Sequence, residues 1–201
     1  MQTKPALLAL SLALVLPLAA EEEGFLSLFD GESFAGWKIA ENPEAFTIQD
    51  GAIVANGTRA HAFYVGEGGQ ANFNQFELRL EVLTLPNSNG GIFIHSAWLE
   101  EGWPSGYEIQ VCNTQRDWRK SGSLFNIVHN EIPFEDNTWM EYVIRVQKGR
   151  IFVSVNDQVL VNYTPQKEAS RLLPEGGALS LQAHDPGSTV HYRNLRIKPL
   201  D

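Results

Sequence analysis

Residues 76–82 have the sequence Phe-Glu-Leu-Arg-Leu-Glu-Val, and this alternation of apolar and charged side chains decides the fold class. A period of two places the apolar set on one face of a β-strand and the charged set on the other. The same period recurs in three further stretches, 140–147, 151–155 and 179–184. Strands of this kind are half-buried, which is typical of antiparallel sheets with one face on a core.

Turn-forming residues separate these stretches, as a sheet protein with short connections requires. Asp-Pro-Gly at 185–187 is one example, and Asn-Asp at 156–157, between two apolar runs, predicts a hairpin. The best helix candidate, 166–173, covers only about two turns and ends before a proline. The sequence therefore predicts an all-β protein, a two-sheet antiparallel β-sandwich of the jelly-roll type.

The first twenty residues have the layout of a secretory signal peptide. Lys4 precedes an apolar stretch, 6–16, and small residues end at Ala20 before an acidic run. The apolar stretch is shorter than the roughly 20 residues of a membrane span, and no cysteine stands directly after Ala20 to carry a lipid anchor. We expect residues 1–20 to be a cleaved signal peptide and residues 21–201 to be one sandwich domain. The protein would then be periplasmic or secreted, with no membrane insertion after cleavage.

Charge and cysteine content exclude some classes of function. The chain has 15 basic and 24 acidic residues and a formal net charge of −9. This balance argues against nucleic-acid binding, because such proteins need a basic face. Cys112 is the only cysteine, so the chain can form neither an intramolecular disulfide nor a cysteine-based zinc cage.

Three predicted strands carry polar side chains opposite their apolar set. His95 lies on one strand, Glu108 and Gln110 on a second, and Gln182 and His184 on a third. Carboxylates and imidazoles exchange protons, and amides fix hydroxyl groups. If these strands are neighbours, one face of a sheet gathers all five side chains. Each pattern by itself also fits an ordinary solvated strand face.

Tryptophans in the connecting loops point to a sugar ligand. Trp98 and Trp103 lie between the His95 and Glu108 strands, and Trp118 follows the Glu108 strand. Indole rings stack on the apolar faces of sugars, so a tryptophan-bearing loop above a polar groove suggests carbohydrate binding. Packing of the loops against the sheet is the alternative.

The Glu108 strand lacks a feature of ordinary glycosidases, which use a pair of carboxylates. The next two positions on its face are Gln110 and Cys112. The sequence also has no nucleophile elbow, phosphate-binding loop, dinucleotide fingerprint or zinc-protease motif. We therefore expect no organic cofactor and no second carboxylate nucleophile from this strand.

Several short motifs occur in an order that resembles one known family. They are Leu-Phe-Asp-Gly at 28–31, Asn-Gly-Gly-Ile-Phe at 89–93, Gly-Tyr-Glu-Ile-Gln at 106–110, Leu-Gln-Ala-His at 181–184 and Tyr-Arg-Asn-Leu-Arg-Ile at 192–197. This pattern resembles the 3-keto-disaccharide hydrolase domain family of the concanavalin A-like lectin/glucanase superfamily. The resemblance implies a concanavalin A-like sandwich that cleaves glycosidic bonds of sugars oxidised to a ketone at C3, by elimination or net hydrolysis.

The resemblance also implies roles for individual residues. Glu108 matches a position suited to a general base or a metal-side carboxylate, and His184 one suited to a general acid or second base. Gln110 and Gln182 would hold hydroxyl groups. Arg193 matches an Arg-Asn pair of the family, where it would bind substrate or only knit the last strand.

One departure from the family and three wider expectations follow. His95 stands where the family often has arginine, a permanent cation that could stabilise an enolate, so we expect the substrate, the pH optimum or even the activity itself to differ. Glu108, Asp185 and the two histidines could also hold a divalent metal. The chemistry implies a carbohydrate substrate and an upstream sugar oxidoreductase. A non-catalytic carbohydrate-binding module of the same fold is the alternative.

Overall fold

The computed structural model describes residues 23–201, which form thirteen strands and two short 3-10 turns. The predicted signal peptide, residues 1–20, lies outside the described residues. Within 23–201, no helix has the length and apolar character needed to cross a membrane. The best helix candidate, 166–173, forms only one 3-10 turn, Lys167–Ala169, because so short a segment does not offset the cost of helix nucleation.

Two antiparallel sheets contain all the strands. The larger has the order β11 (Gln158–Tyr163), β10 (Arg150–Val155), β9 (Met140–Gln147), β6 (Phe76–Thr84), β13 (Val190–Pro199), β4 (Ala52–Ala55) and β3 (Phe46–Gln49), with β1 (Leu26–Ser27) also paired to β13. The smaller has the order β2 (Trp37–Ala40), β5 (Ala60–Tyr64), β12 (Ala178–Ala183), β7 (Asn89–Ser96) and β8 (Tyr107–Cys112). The predicted all-β, two-sheet sandwich is confirmed.

The core lies between the sheets and follows the alternation in the sequence. In β6, Phe76, Leu78, Leu80 and Val82 are at most 2% exposed, and they belong to one apolar cluster with inward residues of the smaller sheet. Burying each such side chain contributes roughly 1.5–3 kcal/mol. A one-residue slip would turn this set to solvent, so core packing fixes the register and, with it, the residues that each outward face presents.

The predicted hairpin at Asn156-Asp157 is also confirmed. Val155 pairs with Gln158 across the turn, and the two turn residues have φ values of 47° and 64°. Asparagine and aspartate tolerate this left-handed conformation better than most residues. A two-residue turn with positive φ at both positions matches the twist of the strands that it joins.

Candidate active site

Strand register gathers the predicted polar residues on the outward face of the smaller sheet. Phe93 of β7 pairs with Glu108 of β8, and Gly91 pairs with Gln110. On the other side of β7, Leu181 of β12 pairs with Ile92, and continuation of this register places Gln182 beside Gly91. The three strands that carry the polar pattern are therefore neighbours, as the sequence required for a shared site.

A cavity of about 420 Å³ opens on this face, within the size range of small-molecule sites. Phe93, Trp103 and Phe125 supply aromatic surface. The polar side chains that line it are Asn89, Glu108, Gln110, Asp117, Asn126, Arg171, Gln182 and His184. Five of the residues predicted from the sequence thus share one cavity, namely Trp103, Glu108, Gln110, Gln182 and His184, while their catalytic and binding roles stay predictions.

Glu108 is the central carboxylate, and its position depends on Gly91. A β-carbon at Gly91 would stand 2.7 Å from Glu108 Oε1, so the carboxylate occupies the space that a side chain there would fill. Within residues 23–201, no group donates a hydrogen bond to this carboxylate. Burial raises the pKa of Glu108 to about 7, against the opposing charge of Arg119. A carboxyl group of this kind can take up or release a proton near neutral pH.

His184 is oriented by its neighbour in sequence. Its Nδ1 lies 2.7 Å from Asp185 Oδ2, and Asp185 also accepts hydrogen bonds from Ser188 Oγ and Gly187 N. Burial opposes ionisation of Asp185, but these hydrogen bonds hold its pKa below the usual value. The carboxylate makes Nδ1 the hydrogen-bonded nitrogen, which leaves Nε2 for a ligand.

The two glutamine amides lie on either side of Gly91 and are only partly satisfied. Gln110 Nε2 donates to Asn89 Oδ1 at 3.1 Å. In the described part of the chain, Gln110 Oε1 and both amide atoms of Gln182 have no partner. Both side chains are 1% exposed. Because buried polar atoms are normally paired, these amides are available to hydroxyl groups of a ligand.

Of the three predicted tryptophans, only Trp103 lines the cavity. It is 55% exposed, and its ring centre is 6.5 Å from that of His184. Trp98 instead packs edge-on against Phe63, with ring centres 5.1 Å apart. Trp118 is an exposed loop residue that contacts neither His184 nor the cavity. Trp98 therefore packs against the sheet, which was the alternative to sugar binding, whereas Trp103 stands at the polar groove as expected for a sugar-stacking ring.

The prediction that His95 shares a face with Glu108 is wrong. A φ of 53° at His95 and a register shift between β12 and β7 turn the ring away from the cavity and onto Phe76, with which it stacks. Its Nε2 is 3.0 Å from the Asn74 carbonyl oxygen, and its Nδ1 accepts a hydrogen bond from Leu173 N at 3.1 Å. His95 therefore joins two loops beside the cavity and does not enter it.

Arg193 lies on the larger sheet, away from the cavity. Its Nε donates to Glu81 Oε2 at 2.7 Å across the β13–β6 pair, and its guanidinium stands 3.8 Å from the ring centre of Trp139. The prediction that Arg193 contacts the substrate is therefore corrected. Alternation indicates which face of a strand a residue occupies, but it does not indicate to which sheet the strand belongs. The alternative, that Arg193 knits the last strand, describes these contacts.

Three residues near the cavity were missed by the sequence reasoning. Asp117 and Arg171 reach it from irregular segments, whose return to the sheet no periodicity reveals. His61 is fully buried and pairs with Gln182 on the outward face of β5. Its signal was present, since Ala60 and Ala62 alternate with His61 and face the core.

A metal site is not assembled by these side chains. Within residues 23–201, no group of three or more histidine, cysteine, aspartate or glutamate side chains could hold a metal ion. His95, one member of the expected set, faces away from the cavity. The expected divalent metal therefore has no ready set of three side-chain ligands, and it stays a prediction.

Comparisons with known proteins agree with this architecture. A 3-keto-disaccharide hydrolase from Bacteroides thetaiotaomicron is 26% identical, over 92% of this chain and 82% of that protein. A candidate glycosyl hydrolase structure from Parabacteroides distasonis has a TM-score of 0.74 at 21% identity, covering 89% of this chain and 95% of that one. The carbohydrate-binding module CBM66 from Bacillus subtilis has a TM-score of 0.58 at 8% identity, covering 82% and 96%.

At such low identities the similarity to the two solved structures shows the fold alone. The sequence match to a family shows more: the model of the 3-keto-alpha-glucoside-1,2-lyase-like domain matches residues 24–198, nearly all of the described chain. This chain belongs to the 3-keto-alpha-glucoside-1,2-lyase-like domain family.

Proposed function

We propose that this chain is an enzyme that cleaves the glycosidic bond of 3-keto-glycosides, including 3-keto-disaccharides, by removing the proton on C2 and eliminating the group on C1. Membership of the family and the name of the Bacteroides relative support the substrate class. The observation that carries the proposal is Glu108, a half-buried carboxylate without a hydrogen-bond donor in the described chain and with a pKa of about 7.

The first step is proton transfer from carbon. A ketone at C3 acidifies the C2–H bond, and Glu108 takes that proton while the electron pair becomes the enolate between C2 and C3. Negative charge then develops on O3. The buried Gln182 amide lines the same cavity with Nε2 unpaired in the described residues, and it is the donor that we assign to this oxygen.

The second step is departure of the aglycone. The enolate electrons form a C1–C2 double bond, the C1–O1 bond breaks, and O1 takes a proton from Nε2 of protonated His184. Asp185, 2.7 Å from Nδ1, stabilises the imidazolium. The products are an unsaturated 3-keto sugar and an alcohol, and addition of water at C1 completes a net hydrolysis.

This route explains the lack of an ordinary carboxylate pair. Asp117 also lines the cavity, but Arg119 holds it with Nε 2.9 Å from Oδ1. Hydrogen bonds from Arg119 outweigh burial and keep the pKa of Asp117 below its usual value. An elimination needs one base and one acid, whereas double displacement needs a second carboxylate as nucleophile.

Turnover of a 3-keto-glucoside with a chromogenic aglycone, beside its unoxidised parent, tests the proposal. We expect aglycone release from the keto sugar only, and deuterium at C2 should slow it. Equal release from both sugars would contradict the enolate route, and binding without release would favour a carbohydrate-binding module. A chelator arm tests whether a divalent metal takes part.

The substrate also defines a place in a reaction sequence. A 3-keto sugar arises when an oxidoreductase removes hydride from C3 of a glycoside, so we propose that such an enzyme acts upstream. We further propose that cleavage after Ala20 releases the chain into the periplasm or outside the cell. N-terminal sequencing of the exported protein would detect that cleavage, and an intact N-terminus would contradict it.

A further inference from the structure

Three neighbouring side chains on the smaller sheet are buried without partners. In the described residues, no hydrogen bond reaches either ring nitrogen of His61, the hydroxyl of Ser180 or either amide atom of Gln182. All three residues are at most 1% exposed. Such atoms cost stability unless a ligand or water satisfies them. Their position next to a cavity makes them candidates for ligand recognition.

His61 and Gln182 are paired by the sheet. They lie directly opposite each other on β5 and β12, so their β-carbons are about 4.5–5.5 Å apart on the same face. Yet neither side chain satisfies the other. A small polar group placed between them could therefore bond with both at once.

The aromatic neighbours of His61 connect this pair to the cavity. The His61 ring centre is 5.6 Å from Phe93 and 5.7 Å from Trp103, and both of these residues line the cavity. Gln182 lines it as well. Trp103 covers His61, but the Trp103 side chain is itself largely open to solvent, with an exposure of 55%. Movement of this indole would extend the cavity onto His61.

The segment that carries Trp103 is held from its backbone. Gly102 N donates to Glu41 Oε1 at 2.7 Å, and Arg59 Nε donates to Glu41 Oε2 at 3.0 Å. The guanidinium of Arg59 also lies 5.3 Å from the Trp103 ring centre. The hydrogen bonds through Glu41 fix the main chain next to Trp103, whereas the indole itself is held by contacts with the Arg59 guanidinium and the His61 and His184 rings.

The chemistry of the pair selects a neutral ligand. Burial lowers the pKa of His61 to about 4, although Glu41 opposes this shift and Arg59 adds to it. At neutral pH the imidazole is therefore uncharged, with one donor and one acceptor. The Gln182 amide offers a donor and an acceptor as well. The C3 carbonyl and a neighbouring hydroxyl group of a 3-keto sugar ring match this set, whereas an anion or a cation would not.

We propose that His61 and Gln182 form a hydroxyl-binding subsite under Trp103, which holds a sugar ring of the substrate once the indole moves aside. The identity of the ligand rests on the proposed function. His61 is assigned here as a binding residue, because its strand β5 is separated from the Glu108 strand β8 by β12 and β7, and Trp103 is the ring that stacks on the bound sugar.

The variant His61→Phe separates this role from a structural one. Phenylalanine fills the site and removes the unpaired nitrogens, so we expect the melting temperature of the free protein to rise by about 2–4 °C. In a Glu108→Gln background, which prevents turnover, we expect the dissociation constant of methyl 3-keto-glucoside to increase at least about tenfold. A structural histidine would give a lower melting temperature and unchanged affinity.

A matched control and a second variant keep the test decisive. His129 packs edge-on against Trp118 with the same interplanar angle of 67° but outside the cavity, and His129→Phe should leave affinity unchanged. His61→Gln retains a donor and an acceptor and should bind within about threefold of the parent protein. Unchanged affinity in His61→Phe, or equal losses in both His61 variants, would overturn the subsite.

Kinetics distinguish failure of the subsite from failure of the proposed reaction. His61→Phe without the second substitution should raise KM and change kcat by less than about threefold, because uniform binding is lost and the reacting groups remain. If the unmodified protein turns over no keto-glycoside, the proposed reaction fails, while the comparison of dissociation constants still decides the subsite. Absence of any sugar binding would overturn the subsite itself.

Discussion

The outward faces of the two sheets differ in whether their carboxylates accept hydrogen bonds from neighbouring side chains. On the larger sheet, Glu77 accepts hydrogen bonds from Arg79 and Arg145. On the smaller sheet, Glu108 receives none from the described chain. Burial raises the pKa of both carboxyl groups, but the two arginines bring that of Glu77 below its usual value, whereas Glu108 rises to about 7.

Both faces come from the same alternating pattern in the sequence, so alternation alone does not separate structure from function. What separates them is whether the polar groups have hydrogen-bond partners within the protein. The ion pairs of the larger sheet join β6 to β9 and β13 and leave little for a ligand, whereas His61, Ser180 and Gln182 on the smaller sheet remain unpaired. Natural proteins retain such unsatisfied groups where a ligand completes them.

The sharpest contrast pairs Glu108→Gln with Glu77→Gln. Removing the base should lower kcat by about 10²–10⁴-fold, with no loss of stability above pH 7, since the buried charge disappears. Glu77→Gln should leave kcat unchanged and lower the free energy of unfolding by about 1–3 kcal/mol, because the hydrogen bonds from Arg79 and Arg145 to an ionised carboxylate are lost. Steady-state kinetics and denaturant unfolding measure both. Full turnover by Glu108→Gln would erase the contrast.

The pH profile should carry the signature of the raised Glu108 pKa. The base is ionised above pH 7 and protonated below it, so kcat/KM should fall about tenfold per unit below pH 7, or about a hundredfold by pH 5. Stability has the opposite dependence for this group: a raised folded-state pKa means that ionisation costs stability as pH rises through 7. A profile that stays flat from pH 5 to 8 would contradict the assignment.

Gly91→Ala tests whether the cradle under Glu108 matters. The new β-carbon would stand 2.7 Å from Oε1, and since the carboxylate is the flexible end of a side chain, it should shift while the fold survives. We expect kcat to fall about tenfold to a hundredfold with little change in melting temperature, since small misplacement of reacting groups is costly. Gly68→Ala, with open space around its β-carbon, is the control and should be neutral in kcat.

Arg193→Met should have the smallest effect, and it tests the contrast between the two sheets with a residue of the larger sheet. Its ion pair with Glu81 is partly solvated, with side-chain exposures of 37% and 26%, so the loss of stability should be below about 1 kcal/mol. KM and kcat should not change, because the guanidinium is on the sheet opposite the cavity. A KM increase would return Arg193 to the substrate site.

Sequence pattern was sufficient for the sheets, for the hairpin at 156–157 and for the shared face of Glu108, Gln110 and Gln182. Each of these features depends on the local period of apolar residues or on the residues of a turn, and both can be read directly from the sequence. The pattern failed at His95, where one residue with positive φ and a register shift reverse the face. It also failed for Arg193, because a period of two does not assign a strand to a sheet, and for Asp117 and Arg171, which arrive on irregular segments.

The pairing of β1 with β13 has a practical consequence for handling the molecule. Leu26 lies opposite Ile197, and Lys198 Nζ donates to the carbonyl oxygen of Glu23 at 3.1 Å. Both ends of the described chain therefore emerge on the larger sheet, behind the cavity. A surface tether or a fused partner attached near residue 23 or 201 would leave the opening unobstructed, and a short peptide could join the two ends into a circular permutant that is opened elsewhere.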